Sequence, residues 1–221
     1  KLREQHESRK STKKLISIQE ARSNRLQIDW PNETIHTPTE LGRFELLDYP
    51  IEELIPYIDW TPFFATWELA GKYPNILKDN VVGEEASKLY ADAIQMLEDI
   101  VEYKWLTANG VYGIWKANST MDDIQLINGE QEVFLTLHSL RQQRKKVEGS
   151  PNLALADFIA PKESGKEDYI GAFAVTAGLG IKQQLQIFEE THDDYNSILL
   201  KALADRLAEA FAERLHERVR K

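Results

Sequence analysis

The sequence predicts an α+β fold, a mainly antiparallel sheet flanked by long helices. Two stretches, residues 83–105 and 191–221, carry apolar side chains at helical spacing with charges between them. Three short runs, residues 111–115, 123–127 and 132–138, change to a strand-like pattern and are separated by turn residues. A chain of 221 residues, 42% hydrophobic and 29% charged, can bury one sizeable core or at most two small ones.

Residues 1–30 form a basic linker or helical arm with few apolar anchors, Leu2, Leu15, Ile16 and Ile18 among them. The body of the protein is expected over residues 31–221. Pro31, Pro38, Gly42 and Pro50 predict extended structure, with one strand near residues 43–47. A crowded aromatic segment follows, residues 57–74, predicted as a short helix over 61–70 broken at Gly71 and Pro74. In the helix predicted over 83–105, Ala86, Leu89, Tyr90, Ala93, Leu97, Ile100 and Val101 define the buried face. After Asn109-Gly110 the strand-like runs begin, and Asn128-Gly129 is a hairpin signal between the second and third. Residues 141–152 are a basic, polar connection, residues 153–159 one or two helical turns, and residues 161–165 a loop. Residues 169–176 are apolar on both faces, as expected of a central strand buried from both sides. Gly178-Leu179-Gly180 then turns the chain into a helix over 182–190. The last helix opens on Thr191-His192-Asp193-Asp194, acids suited to a positive helix start, and buries Leu199, Leu203, Leu207, Phe211 and Leu215.

Composition excludes several kinds of chemistry. With no cysteine there is no disulfide, thiolate metal site or thiol nucleophile, which fits a reducing, cytoplasmic setting. No apolar run reaches membrane-spanning length, and the polar start shows no signal peptide or anchor. The net charge of −9 is uneven: residues 1–25 hold eight Lys and Arg against Glu4, Glu7 and Glu20. An acidic body argues against broad nucleic-acid binding. The five histidines, at 6, 36, 138, 192 and 216, show no metal-ligand spacing, so no metal site is expected. There is no nucleophile elbow and no phosphate loop. Gly178-Leu179-Gly180 lacks the third glycine of a dinucleotide loop, and tight-turn geometry explains it.

Two places could carry function without a nucleophile. Asp59 sits among aromatic side chains just before Thr61-Pro62. It is a good helix N-cap, and a carboxylate at a helix start can also face a cleft. Asp205 and Glu209 lie one helical turn apart, away from the buried stripe, with Ala204, Ala208 and Ala212 leaving room around them. That pair is either a solvated helix face screened by Lys201 and Arg206 or an acidic strip for a cationic ligand or partner.

Residues 59–74, residues 82–86, Leu155-Ala156-Asp157-Phe158-Ile159-Ala160-Pro161-Lys162, residues 168–176 and residues 192–221 together resemble the C-terminal activation domain of cobalamin-dependent methionine synthase. The likeness runs from about residue 40 to residue 221, and Asp-Trp-Thr-Pro-Phe-Phe and His-Asp-Asp-Tyr-Asn are its most specific motifs. It implies a C-shaped α+β domain with a twisted antiparallel sheet. It also implies binding of S-adenosylmethionine for reductive methylation of inactive cob(II)alamin, which sustains methyl transfer from methyltetrahydrofolate to homocysteine in methionine biosynthesis. The cobalamin is held by another domain of the same enzyme, and zinc only by the homocysteine domain. The electron donor is flavodoxin or a flavoprotein reductase. Turnover by the isolated domain is not expected.

By the same resemblance Asp59 matches the aspartate that binds the cationic methionyl end of S-adenosylmethionine, and Glu209 a glutamate near that ligand. Asp205 matches a residue facing the docked cobalamin domain, and Lys72 a surface lysine that meets the acidic flavodoxin. The family chain continues past the position of Lys221 with an Arg-Pro-Ala-Pro-Gly-Tyr-Pro segment that holds much of the ligand. The sequence therefore represents an activation domain truncated at its C-terminal end, for which weak or undetectable S-adenosylmethionine binding is expected. Gly180-Ile181 stands where the family more often has acidic residues. The alternative is a docking-only module for a cobalamin domain or reductase, without S-adenosylmethionine binding.

Overall fold

The structure is a computed structural model that describes residues 14–221; the first half of the basic arm lies outside the described residues. Its elements are α1 (Ile18–Ser23), β1 (Gly42–Tyr49), α2 (Trp60–Thr66), α3 (Gly83–Glu102), β2 (Thr107–Thr120), β3 (Asp123–Ile127), β4 (Val133–His138), β5 (Asp168–Leu179), α4 (Ile181–Glu190) and α5 (Asp194–Arg220). Five strands form one sheet in the order β1-β2-β3-β4, with β5 paired to β2. The α+β expectation holds.

The chain divides into two units, each with its own core. One contains the residues up to Arg43 together with Gly113–Ala172. There β2 pairs antiparallel with β3, Asn118 opposite Gln125, and β3 with β4, Gln125 opposite Thr136. Its small core is Ala117, Ile124, Leu126 and Ala156, flanked by Trp115, Ile159 and Ile170. The other unit, Phe44–Tyr112 with Phe173–Lys221, packs α2, α3 and α5 around a larger core. The stripe predicted on the last helix is wholly buried: Leu199, Leu203, Leu207, Phe211 and Leu215. Phe211 stacks on Tyr49 with ring centroids 4.8 Å apart.

Four local expectations are corrected. Asn109-Gly110 does not break the chain but lies inside β2. The Asn109 side chain accepts from the Asp48 amide at 2.8 Å, and a Cβ on Gly110 would come within 3.0 Å of the Phe211 ring. The pair serves close packing rather than a turn. The aromatic helix stops at Thr66, because Glu68 adopts a left-handed conformation (φ 58°) and ends the helix without a glycine. Gly71 has another reason: a Cβ there would meet Ile76 at 2.8 Å. The β3–β4 connection is longer than a two-residue turn. The Asn128 side chain accepts from the amides of Glu130 and Glu132, and Gln131 takes the left-handed position. Finally, β5 is not buried on both faces, since residues 171–174 are exposed. Apolar content alone does not distinguish a buried strand from one whose middle is exposed on both faces.

Candidate functional site

The site begins with the helix that Asp59 starts. Asp59 is the N-cap of α2, and its Oδ1 accepts from the Thr61 amide at 3.0 Å. The capping reading is therefore met, while the carboxylate stays exposed. Although aromatic residues flank it in sequence, the exposed carboxylate incurs no desolvation cost. Trp60, Phe63 and Phe64 turn inward and build a ring cluster with Tyr73 and Tyr90; Trp60 meets Tyr90 edge-on at 4.8 Å. Those rings give α2 a rigid floor, so the carboxylate stands at a fixed place on the surface. The Tyr90 phenol is pushed up to about 12 by its hydrogen bond with Tyr73 and by burial.

Thr61 ties a second predicted residue to the same neighbourhood. Its Oγ1 accepts from the Tyr73 amide at 3.3 Å, which folds the segment after α2 back onto its first turn. Lys72 is the residue before, exposed, in the stretch that leads to the cis Tyr73–Pro74 bond. Thr61 thus bonds both Asp59, through its amide, and the residue that follows Lys72, through its hydroxyl.

Asp205 and Glu209 lie exposed on α5, the helix against which α2 packs. Glu209 is not free. Both its oxygens accept from the Arg206 guanidinium, at 2.6 and 2.9 Å, in a fork that offsets the like-charge pair. Its side chain is still 65% exposed, so a ligand at Glu209 would share the carboxylate with Arg206.

Sequence reasoning missed the lattice that holds this region in place. Tyr57, two residues before Asp59, donates its hydroxyl to the Glu217 carboxylate near the end of α5. Arg214 lies over the Tyr57 ring at 5.8 Å and donates to Glu53 at 2.9 Å and to the Tyr49 hydroxyl at 3.1 Å. Lys221 and Tyr57, both donating to Glu217, hold its carboxyl down to about 2. The Glu53 carboxylate and Tyr49 raise the Arg214 guanidinium further above its ordinary value. These partners are some 160 residues apart, and only the charged spacing of Arg214 and Glu217 was visible locally.

Among the described residues no group of His, Cys, Asp or Glu could hold a metal ion. Three cavities of about 410, 350 and 390 Å³ open elsewhere, and none is lined by Asp59, Lys72, Asp205 or Glu209. Chemically, the exposed Asp59 carboxylate can pair with a cation, and it offers no nucleophile.

A family model described as the activation domain of vitamin B12-dependent methionine synthase matches residues 50–221. A solved structure, described as the crystal structure of the MetH reactivation domain bound to AdoHcy, is 53% identical to this chain. It superposes with a TM-score of 0.89 over 94% of the chain, which spans 64% of that structure's length.

Proposed function

The chain belongs to the family of vitamin B12-dependent methionine synthase activation domains, and from that premise we propose that it binds S-adenosylmethionine within a longer methionine synthase. The observation that carries the proposal is the fold shared with an AdoHcy-bound reactivation domain at 53% identity. The local chemistry fits the ligand. An exposed carboxylate at the start of α2 with one oxygen committed to the Thr61 amide suits the ammonium and sulfonium of the methionyl end. When bound, S-adenosylmethionine supplies the methyl group for reductive methylation of cob(II)alamin held on another domain, with an electron from a flavodoxin-type reductase.

The work left to this chain is binding and orientation. Asp59 fixes the cationic end of the ligand, and the Trp60 cluster keeps α2 from moving when it does so. Glu209 adds negative potential on α5, the helix against which α2 packs. Asp205 faces the docked cobalamin domain, and Lys72 meets the acidic reductase. The absence of a nucleophile is no defect, because the methyl acceptor lies in another domain.

Calorimetric titration of the methionine synthase that carries this domain tests the reading. Replacing Asp59 by Asn keeps the shape and removes the charge, and should weaken S-adenosylmethionine by about tenfold to a hundredfold. Unchanged affinity in Asp59→Asn would remove Asp59 from the site, and no binding by the parent enzyme would remove the function.

A further inference from the structure

The basic connection after β4 is held far more firmly than a linker needs to be. Asn152, wholly buried, donates through Nδ2 to the backbone oxygens of Gln142 and Arg144, both at 2.8 Å, and accepts from Asn24 Nδ2 at 2.7 Å. Buried Arg141 anchors the start of the connection on Asp122 and Asp157. A second basic segment pairs with it. Ile16 donates its amide to the Gln143 oxygen at 2.9 Å, Lys145 donates to the Lys14 oxygen at 2.8 Å, and Leu15 bridges antiparallel to Arg144.

The outcome is a short ladder that gathers exposed Lys14, Arg144 and Lys145 and half-buried Lys146, Lys14 and Lys145 on one face and Arg144 and Lys146 on the other, in a chain whose net charge is −9. None of these four forms an ion pair among the described residues. Glu20 lies within electrostatic reach of Lys14 and Lys145, but its Oε2 is occupied by the amide and hydroxyl of Ser17. Glu148 is the acid next along the chain. Large apolar side chains stand out on the same segments: Leu140 is 94% exposed, Val147 77% and Leu15 73%.

Ordering exposed cations and apolar side chains costs conformational entropy that solvent contact does not return. A preordered strip of this kind lowers the cost of binding a complementary surface. We infer that the Lys14/Arg144–Lys146 ladder is a docking strip for an acidic protein surface with an apolar centre. A protein partner fits better than a lipid or nucleic-acid surface. The strip is short, and an extended anionic surface would also meet the acidic remainder of the chain and be repelled.

The probe is a fluorescein-labelled peptide of Glu residues interrupted by Leu and Phe, titrated with the full chain and read by anisotropy. Vesicles containing phosphatidylserine and a single-stranded oligonucleotide serve as the other arms. The peptide should bind, and raising salt from low to physiological strength should weaken it several-fold. Combined Lys14→Glu, Arg144→Glu and Lys145→Glu should reduce affinity by about tenfold or more at low salt. Leu140→Ser should weaken binding while leaving the salt dependence unchanged. These exposed replacements leave the fold intact, which circular dichroism checks. The inference is overturned if the peptide does not bind, if charge reversal leaves its affinity unchanged, or if vesicles or the oligonucleotide bind more tightly than the peptide.

Discussion

Arg141 and Thr120 are opposite cases of a buried polar group. Arg141 has no exposed side-chain surface, and its guanidinium donates to Asp122 at 2.8 Å, to Asp157 at 2.6 and 2.8 Å, and to the Asn152 oxygen at 2.7 Å. Replacing it by Met would leave the Asp157 carboxylate, only 4% exposed, without its counter-charge, and Asp122 with Arg22 alone. We expect Arg141→Met to destabilise the protein by about 3–5 kcal/mol, read by urea denaturation. The buried Thr120 hydroxyl, in contrast, has no partner among the described residues. Thr120→Val replaces it by an apolar group of the same shape and should be neutral or stabilising by up to about 1 kcal/mol. The pH dependence follows from the same cluster. Burial opposes the Asp122 charge, but Arg22 and Arg141 outweigh it and hold the carboxyl below its ordinary 3.8. A depressed folded value means that the contribution is full above the unfolded value and is lost as pH falls through the folded one. The melting temperature should therefore fall as pH drops below about 4, and less steeply in Arg141→Met. Equal slopes in the two proteins would count against the cluster.

Among the elements, the junction of β5 and α4 has the narrowest tolerance. Gly180 adopts φ 92°, and a Cβ there would lie 2.9 Å from the Trp105 carbonyl oxygen. Both the dihedral and the close backbone oppose a side chain. Gly180→Ala should cost more than about 1 kcal/mol in urea denaturation, and Gly165→Ala less, because open space surrounds a Cβ at Gly165 although φ is also positive. The tight-turn reading of Gly178-Leu179-Gly180 is met by Gly180 alone. Long periodic elements were legible for a physical reason: the spacing of Leu199, Leu203, Leu207, Phe211 and Leu215 admits one buried face, and all five are buried. What was not legible depends on partners distant in sequence. Asn109-Gly110 resembles a turn until Asp48 and Phe211 are known to lie against it. The apolar run in β5 resembles a buried strand until the exposure of residues 171–174 is seen. The N-cap role of Asp59 was local and therefore visible, whereas the Tyr57–Glu217 bond was not.

Across the whole molecule, charge decides how a partner approaches. The chain carries −9, so the acidic reductase proposed as its partner would meet overall repulsion and would have to be drawn in by local cations. Lys72 is the cation proposed for this role, exposed on a segment that Thr61 holds to the first turn of α2. A charge at the rim of an interface acts mainly on the association rate, and salt screens it within about 10 Å at 0.1 M. Lys72→Glu should therefore slow association with a flavodoxin-type reductase by about tenfold at low ionic strength, with the difference shrinking as salt rises. Dissociation should change little. Stopped-flow mixing at two ionic strengths distinguishes this from a structural effect, which would alter dissociation and persist in salt. The same measurement on the Lys14, Arg144 and Lys145 reversal separates the two cationic places. If only the Lys72 change slows the reductase, the ladder serves a different acidic surface; if both do, one partner reads both. An association rate that Lys72→Glu leaves unchanged at either ionic strength would remove Lys72 from the docking surface.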